Sequence, residues 1–269
     1  MPPVDSSRAD RDRALVLKRH PYSESSLVVS VLTRRAGLVR LLARGAFRPR
    51  SRYYAVLDFF DELELEWAPP KSGELGTLKS GDVVRRRRGI TRDLARYRAA
   101  NSALELTALG CRPGHPETRL FDLLSASLDR LEEGDAPGAT LARFELDFLR
   151  VHGLTPALER CAACGSAAPG SGEPPRVGFS AGAGGRLCAS CAAETRASGG
   201  RVGTMPLDVL DAAARMLRGE TLSLAPEALE RLRDFVERFL GYHLGTQPRS
   251  QRAFLAETNR NAPRPTAPR

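Results

Sequence analysis

The sequence feature that most constrains the fold is a quartet of cysteines in the second half of the chain. Cys161 and Cys164 form one CxxC pair, Cys188 and Cys191 form another, and 23 residues separate the pairs. Two-residue spacing lets both thiolates of a pair bind one ion from a tight turn, and two pairs complete a tetrahedron. Gly165, directly after the first pair, can adopt the positive φ that such a turn needs. The pattern predicts one structural Zn²⁺ bound by these four sulfurs.

The segment between the pairs supports this interpretation. It is rich in Gly, Pro and Ser, so an apolar core cannot hold its shape, and a bound metal would supply the missing stability. Four sulfur ligands leave no open coordination position, so we expect an architectural site and not a catalytic one. An iron–sulfur cluster, a redox dithiol pair and a site that has lost its metal remain open. Cys111 lies at the end of a predicted helix and is interpreted as a small apolar residue.

The N-terminal part of the chain has the pattern of short β-strands. The clearest strand has Leu63, Leu65 and Trp67 alternating with glutamates, which gives one apolar and one acidic face. Five strands are predicted, at residues 14–17, 27–32, 38–42, 59–67 and 75–84. Five short strands with one long connection and no alternating helices predict a small closed barrel of the OB-fold type, a common platform for single-stranded nucleic acid.

Positive charge is concentrated in this barrel. Residues 1–90 contain 18 Lys and Arg against 11 Asp and Glu, a net +7, whereas the remainder has 23 against 21, a net +2. No acidic residue lies between Glu24 and Asp58, a stretch that contains seven arginines. A positive field confined to one part of a protein favours a polyanionic partner at that part.

The connection after the third strand is the predicted binding loop. Pro49 prevents regular strand pairing there, so we expect an exposed loop that also carries Tyr54. Guanidinium groups beside aromatic faces suit a phosphate backbone with unstacked bases. The predicted DNA-binding residues are Arg34, Arg35, Arg40, Arg44, Phe47, Arg48, Arg50, Arg52 and Tyr53.

Ordinary surface chemistry offers an alternative for these basic residues. The arginines could lie on a solvated sheet edge and form salt bridges, with Glu62, Glu64 and Glu66 as partners on a neighbouring strand. Three carboxylates cannot neutralise seven guanidinium groups, so surplus charge is expected even then. For the run Arg85–Arg88, a phosphate contact and a hydrated linker are equally well supported.

From Thr91 onward the apolar period becomes helical, and the apolar stripes are interpreted as the core of a helix bundle. The predicted stripes are Leu94, Tyr97, Leu104 and Ala108; Phe121, Leu124, Leu128 and Leu131; Leu141, Phe144, Phe148 and Val151; Leu207, Leu210, Ala214 and Leu217; and Leu229, Leu232, Val236 and Phe239. Residues 155–203 are expected to be irregular. The fold class is α+β, an N-terminal OB-fold β-barrel followed by an α-helical domain with an inserted four-cysteine zinc module.

The predicted domain boundaries follow these changes of pattern. They are a disordered arm at 1–12, the barrel at 13–88, the helical domain at 89–155 and 204–258, the zinc insertion at 156–203 and a disordered tail at 259–269. The chain has no apolar run of 18 residues and no hydrophobic signal core at its start, so we expect a soluble cytoplasmic protein without a membrane partner. Neither a nucleophile elbow nor a phosphate-binding loop is present, and we expect no enzymatic activity and no catalytic residues.

The order of these parts resembles the RecO family of bacterial recombination mediators. The resemblance is carried by ALVLKRHPYSESSLVVSVLTRRAGLVRLLARGAFRPRS near the start, by CAACG and FSAGAGGRLCASC in the middle, and by RSQRAFL near the end. It implies binding of single- and double-stranded DNA and annealing of complementary strands. With the partner RecR, it implies loading of RecA onto DNA covered by single-strand-binding protein, in a cytoplasmic, nucleoid-associated setting.

The resemblance also implies a site for the acidic C-terminal tail of single-strand-binding protein. Arginines that flank the last helices could receive that peptide, and ordinary solvated helix faces are the alternative; they are Arg215, Arg218, Arg231 and Arg238. Two other functions stay open at this point. One is a basic RNA-binding or ribosome-associated zinc-ribbon protein, and the other is a metalloenzyme with a water ligand on its metal.

Overall fold

The computed structural model describes residues 10–53, 55–70 and 73–245, which fall into two units divided between Asp135 and Ala136. The first unit begins with five strands, each close to its predicted position. They are β1 (Asp10–Pro21), β2 (Leu27–Thr33), β3 (Gly37–Ala43), β4 (Glu62–Ala68) and β5 (Leu75–Arg85).

These strands form a closed barrel in the order β1-β2-β3-β5-β4. Strands β3 and β5 are parallel and the other neighbours are antiparallel. The alternation in β4 works as predicted, because Leu63, Leu65 and Trp67 are buried in the barrel core. Gly37 begins β3 at a φ of +73°, and a Cβ there would lie 1.8 Å from the His115 carbonyl oxygen. The closed order, together with one parallel pair, confirms the predicted OB-like barrel.

Strand β1 begins earlier than predicted. The predicted disordered arm at 1–12 is wrong at its end, because residues 10–12 pair with β4. The pairing is favoured because Arg11 and Arg13 face glutamates on that strand: Arg11 Nη2 lies 2.5 Å from Glu64 Oε2, and Arg13 Nη1 lies 2.5 Å from Glu62 Oε1. The predicted cross-strand salt bridges therefore exist, but with arginines of β1 and not with those of the binding loop.

Two helices complete the first unit after a 3₁₀ turn at Ile90–Arg92: α1 (Leu94–Gly110) and α2 (Thr118–Glu133). The stripe predicted for α2 is buried throughout. The stripe predicted for α1 is wrong at its start, because Leu94 and Tyr97 are exposed. Helix α1 instead buries a face of small residues, among them Ala99, Ala100 and Ala103. Small side chains contribute little to an apolar periodicity, so the pattern of larger residues such as Leu94 and Tyr97 predicted the wrong face.

The second unit has four helices among its described residues. They are α3 (Pro137–Val151), α4 (Ala189–Ala197), α5 (Leu207–Leu217) and α6 (Pro226–Leu244). Helices α3, α5 and α6 pack against one another as predicted, and bury Phe144, Phe148, Phe235 and Phe239. Proline lies at the start of α3 and of α6, where a missing N–H costs no hydrogen bond.

A small sheet occupies part of the segment that was expected to be irregular. It contains β6 (Arg176–Ser180), β7 (Gly185–Leu187) and β8 (Gly203–Pro206), in the order β7-β6-β8. Strands of three to five residues with interspersed glycine give too little alternation for recognition. Phe179 of β6 anchors the sheet on α6, since its ring meets Phe235 and Phe239 edge to face at 5.2 and 6.0 Å.

The predicted boundaries of the helical domain, 89–155 with 204–258, stay a prediction. The first compact unit contains α1 and α2 together with the barrel. Most of the predicted N-terminal arm, the RSQRAFL segment and the C-terminal tail lie outside the described residues. Among the helices that the structure describes, none has the length and apolar character needed to cross a lipid bilayer.

Candidate metal centre and nucleic-acid interface

The first cysteine pair lies in a tight turn that its own backbone closes. The Gly165 N–H donates to the Cys161 carbonyl at 2.9 Å, and the Cys161 N–H donates to the Ser166 carbonyl at 2.9 Å. Gly165 has a φ of +72°, as the spacing predicted. This turn directs the sulfurs of Cys161 and Cys164 to the same side.

The second pair lies where a strand runs into a helix. Cys188 follows β7 directly and is the N-cap residue of α4, and Cys191 lies in the first turn of that helix. The two pairs are joined through the backbone, because the Ala162 N–H donates to the Arg186 carbonyl at 2.7 Å. Strand β7 therefore holds the second pair against the first.

The four sulfurs fit a tetrahedral metal. A Zn²⁺ ion with Zn–S bonds of about 2.3 Å would hold its sulfurs about 3.8 Å apart. The four Sγ atoms lie within 4.8 Å of one another, and those of Cys164 and Cys188 are 3.8 Å apart. Burial raises the pKa of the Cys161 thiol, but backbone N–H groups of Cys188, Cys164 and Ala163 outweigh this and lower the pKa to about 6. The cluster is a candidate site for one metal ion.

A buried arginine supports the metal centre, and the sequence analysis did not identify it. Arg186 of β7 donates from Nε to the Ala168 carbonyl at 2.6 Å and from Nη1 to the Leu158 carbonyl at 3.2 Å. These carbonyls flank the first cysteine pair, so Arg186 ties that turn to β7. A single arginine in a Gly-rich segment carries no sequence signal for such a role.

Five of the predicted DNA-binding arginines lie on β3 and on the connection that follows it. All five are exposed, and within the described part of the chain none has a carboxylate oxygen within 4.0 Å. Surplus positive charge therefore faces solvent here, which is the arrangement that a polyanion would need. The five are Arg40, Arg44, Arg48, Arg50 and Arg52.

Arg34 and Arg35 differ from this group in place and in pairing. They lie in the β2–β3 turn just before Gly37, and Gly37 is six residues, or about 20 Å, along β3 from Ala43. The Arg34 guanidinium binds Asp122 of α2 at 2.8 and 3.2 Å, and Arg35 Nε donates to Asp12 at 3.2 Å. The β2–β3 turn therefore separates Arg34 and Arg35 from the arginines of the β3–β4 connection, and the DNA-binding role of all seven arginines stays a prediction.

The aromatic residues of the binding loop also differ in their exposure to solvent. Phe47 is 47% exposed, as predicted. Tyr53 is only 8% exposed and its hydroxyl donates toward the carbonyls of Leu78 and Lys79, at 3.2 and 3.1 Å. The predicted exposed Tyr53 is therefore wrong, because the ring completes the barrel core. Tyr54 lies outside the described residues.

A groove runs between the β1–β2 turn and the start of the β3–β4 connection. It has a volume of about 460 Å³, and Tyr22, Arg44 and Arg48 line it. Two hydrogen bonds fix its walls: the Phe47 N–H donates to the Ser25 carbonyl at 3.1 Å, and the Gly45 N–H donates to Ser26 Oγ at 3.4 Å. Tyr22 is an exposed aromatic that the sequence analysis missed, although it follows Pro21 in a polar turn, where an aromatic side chain is unusual.

The four residues Arg85–Arg88 do not share one role, either as phosphate contacts or as a hydrated linker. Arg85 pairs with Asp129, Arg86 Nη1 lies 3.0 Å from Asp61, and the Arg87 side chain is fully buried. Arg88 alone of the run is an exposed residue without an ion pair in the described structure. The run mainly joins the barrel to α2.

The four arginines predicted to receive an acidic peptide are exposed and already form ion pairs. Arg215 binds Glu220 at 2.6 Å, Arg218 binds Glu159 at 2.5 Å, Arg231 binds Asp208 at 3.0 Å and Arg238 binds Asp234 at 2.7 Å. These contacts favour the solvated-face alternative, and the peptide site stays a prediction.

Comparisons with known proteins agree with the order of parts. A family model described as Recombination protein O N terminal matches residues 9–87, and one described as Recombination protein O C terminal matches residues 91–252. A protein named DNA repair protein RecO from Anaeromyxobacter sp. (strain K) is 38% identical over 250 residues, covering 90% of this chain and 94% of the relative. The protein of the same name from Geobacter metallireducens is 32% identical over 247 residues, covering 92% of this chain and 97% of the relative. The chain belongs to the RecO family.

Proposed function

We propose that this protein is a recombination mediator in DNA repair that binds single- and double-stranded DNA through its barrel. The observation that carries the proposal is the set of exposed, unpaired arginines at Arg40 and along Arg44–Arg52 within the described structure. Family membership supports it, because the relatives are named as DNA repair proteins. The arginines supply a surface that neutralises phosphates without reading sequence.

The proposed mechanism contains no bond-breaking step. Guanidinium groups neutralise phosphates and release condensed counterions, which lowers the repulsion between two strands held on the same protein. The exposed ring of Phe47 adds a stacking contact that tolerates any base. Annealing of complementary strands follows, because reduced repulsion raises the rate at which the strands meet.

The partners in this proposal are those that family resemblance implies. With RecR, the protein would help to load RecA onto DNA covered by single-strand-binding protein, whose acidic tail it would bind. The arginines of α5 and α6 are the proposed tail contacts. Their present ion pairs are exposed, and such pairs contribute only about 0–1 kcal/mol, so an acidic peptide can replace the carboxylates.

The metal in the cysteine cluster is proposed to be Zn²⁺. Its ligands would be Cys161, Cys164, Cys188 and Cys191. The ion would supply a closed tetrahedral cross-link between the β7–α4 junction and the turn that contains the first cysteine pair. Its role is architectural, because four sulfurs leave no position for a substrate or a water molecule.

Binding to a labelled oligonucleotide across a range of salt concentrations tests the central claim. If the five unpaired arginines each neutralise one phosphate of single-stranded DNA, log affinity should fall against log salt with a slope of about −3.5. A flat response would contradict the proposal. Competition with RNA of the same length, together with a strand-annealing assay, separates a DNA mediator from the RNA-binding alternative, which should prefer RNA and fail to anneal DNA.

A pull-down tests the tail contact. An acidic peptide that ends in Phe should retain the wild-type protein, and alanine at Arg218 and Arg231 should weaken retention several-fold. A scrambled peptide of equal charge without the terminal Phe is the control. Equal retention by both peptides would show that only net charge is recognised.

A further inference from the structure

A second cavity lies beside the arginine-lined groove: Pro21 and Ala46 line the cavity, and their chain neighbours Tyr22 and Gly45 line the groove. It has a volume of about 420 Å³, which is within the range of pockets that hold small planar ligands. Its walls include Pro21, Leu27, Ala46, Phe47 and Leu57. The lining is therefore largely apolar, in contrast to the groove that contains Arg44 and Arg48.

The two charged side chains at the cavity, Arg19 and Asp58, have opposite signs and form an ion pair. Arg19 Nη1 lies 3.6 Å from Asp58 Oδ1 and donates to the Leu57 carbonyl at 2.9 Å. The Arg19 guanidinium also lies 4.4 Å from the centre of the Phe59 ring. Arg19 is thus neutralised and held in place, whereas Arg44 and Arg48 of the neighbouring groove have no carboxylate partner among the described residues.

This separation of charge distinguishes two kinds of ligand. At the cavity, a phosphate would be repelled by the Asp58 carboxylate. The neighbouring groove instead offers two guanidinium groups without a carboxylate partner, so a phosphate should bind there. An apolar cavity with an aromatic wall favours a flat, weakly polar group that can stack. A nucleobase that has left its stack has these properties, and it is attached to a phosphate that the groove can hold.

We propose that the cavity lined by Phe47 receives one unstacked base of single-stranded DNA while Arg44 and Arg48 hold the adjoining phosphates. This inference rests on the proposed DNA-binding function and gives single strands a contact that duplex DNA lacks, since a base in a duplex cannot enter without unpairing. The Phe47 backbone is fixed at the cavity, because its N–H donates to the Ser25 carbonyl at 3.1 Å.

The test compares two single-stranded oligomers of equal length and charge, a thymidine oligomer and one built from abasic sugar–phosphate units. Stacking of one base should make the wild-type protein bind the thymidine oligomer at least about fivefold more tightly. Phe47→Ala should remove that difference, and should leave binding to the abasic oligomer, binding to duplex DNA and the salt slope unchanged. Phe47 is half-exposed, so the variant should fold, which circular dichroism and thermal melting verify.

Tyr22→Ala is the matched control, because Tyr22 is also an exposed aromatic but lines the groove and not the cavity. It should keep the preference for the thymidine oligomer. If wild-type protein binds both oligomers equally with a normal salt slope, the base pocket is refuted and DNA binding stands. If Tyr22→Ala alone removes the preference, stacking occurs outside the cavity and the pocket is again refuted. If neither oligomer binds with salt dependence, the proposed function itself fails.

Discussion

The guanidinium of Arg87 is fully buried and donates from Nε to Asp129 Oδ1 of α2 at 2.8 Å. Its other nitrogens donate to the Phe60 carbonyl at 2.6 Å and to Ser125 Oγ at 2.8 Å. Phe60 has a φ of +72°, a region that bulky residues rarely adopt, and this carbonyl contact helps to hold it there. One arginine therefore joins the end of β5, the connection before β4 and the middle of α2.

Asp129→Asn should destabilise the first unit strongly, because it leaves the Arg87 charge buried with a weaker partner. Removing one member of a buried ion pair costs roughly 3–5 kcal/mol, and we expect the lower value of about 3 kcal/mol, since Arg87 keeps its carbonyl acceptors and Glu62 Oε2 lies 3.6 Å from its Nη2. Asp122→Asn on the same helix is the control. Its pair with Arg34 is about half exposed, so the free energy of unfolding should change much less than in Asp129→Asn. Urea unfolding measures both, and equal effects would contradict a special role for Arg87.

The same pair predicts how stability depends on pH. Burial would raise the pKa of Asp129, but hydrogen bonds from Arg87 and Arg85 outweigh it and lower the pKa. A lowered pKa in the folded state means that the stabilisation is present above the unfolded value, about 3.9, and is lost as the pH falls through the folded value. The free energy of unfolding of the wild-type protein should therefore fall more steeply below about pH 5 than that of Asp129→Asn. Parallel curves would contradict this.

Arg44→Ala combined with Arg48→Ala should weaken DNA binding alike for all sequences. Each arginine that meets one phosphate contributes about 0.7 to the salt slope for single strands, so the slope should become shallower by about 1 to 2. Arg11→Ala with Arg34→Ala removes the same charge from arginines that are paired with Glu64 and Asp122. That control should keep the wild-type slope. Unchanged binding in the first double variant would place the site elsewhere on the protein.

Cys164→Ser should abolish metal binding and lower the melting temperature by more than about 5 °C, since a structural metal contributes directly to folding. Metal analysis of the purified protein should fall from one ion per chain to none. Cys111→Ala is the control, because Cys111 lies at the end of α1 outside the cluster, and it should keep its metal. A metal-free Cys164→Ser protein with unchanged stability would refute a structural role.

Arg186→Met should weaken metal retention without removing a ligand. The substitution leaves the Ala168 and Leu158 carbonyls without this donor, and an unsatisfied buried polar group costs about 1–3 kcal/mol. Loss of the metal to a chelator should become several-fold faster. Arg176→Met on the neighbouring strand β6 removes an exposed arginine that binds Thr204, and its rate of metal loss should stay near that of the wild type. Identical rates for the two variants would show that Arg186 does not support the centre.

Local pattern predicted the five barrel strands, the helices other than α4 and the cysteine cluster, because each depends on residues close in sequence. Helix α4 lies in the segment 155–203, for which an irregular structure was expected, and that expectation is wrong there. Alternation in β4 and the two-residue spacing of each cysteine pair are examples. The α1 face was mispredicted because alanine packing gives no strong periodic signal. The small sheet was missed because its strands depend on pairing over distances of up to about 30 residues along the chain.

The sequence by itself determined where charge, sulfur and apolar periods lie, and these define a barrel, a helix bundle and a metal cluster. Only the tertiary structure decided which arginines remain unpaired. Arg34, Arg35 and Arg87 meet carboxylates that are 23 to 88 residues away in the sequence, whereas Arg44 and Arg48 meet none among the described residues. The physical reason is that a charge is neutralised by whatever the fold brings within a few ångströms of it, and local composition does not contain that distance.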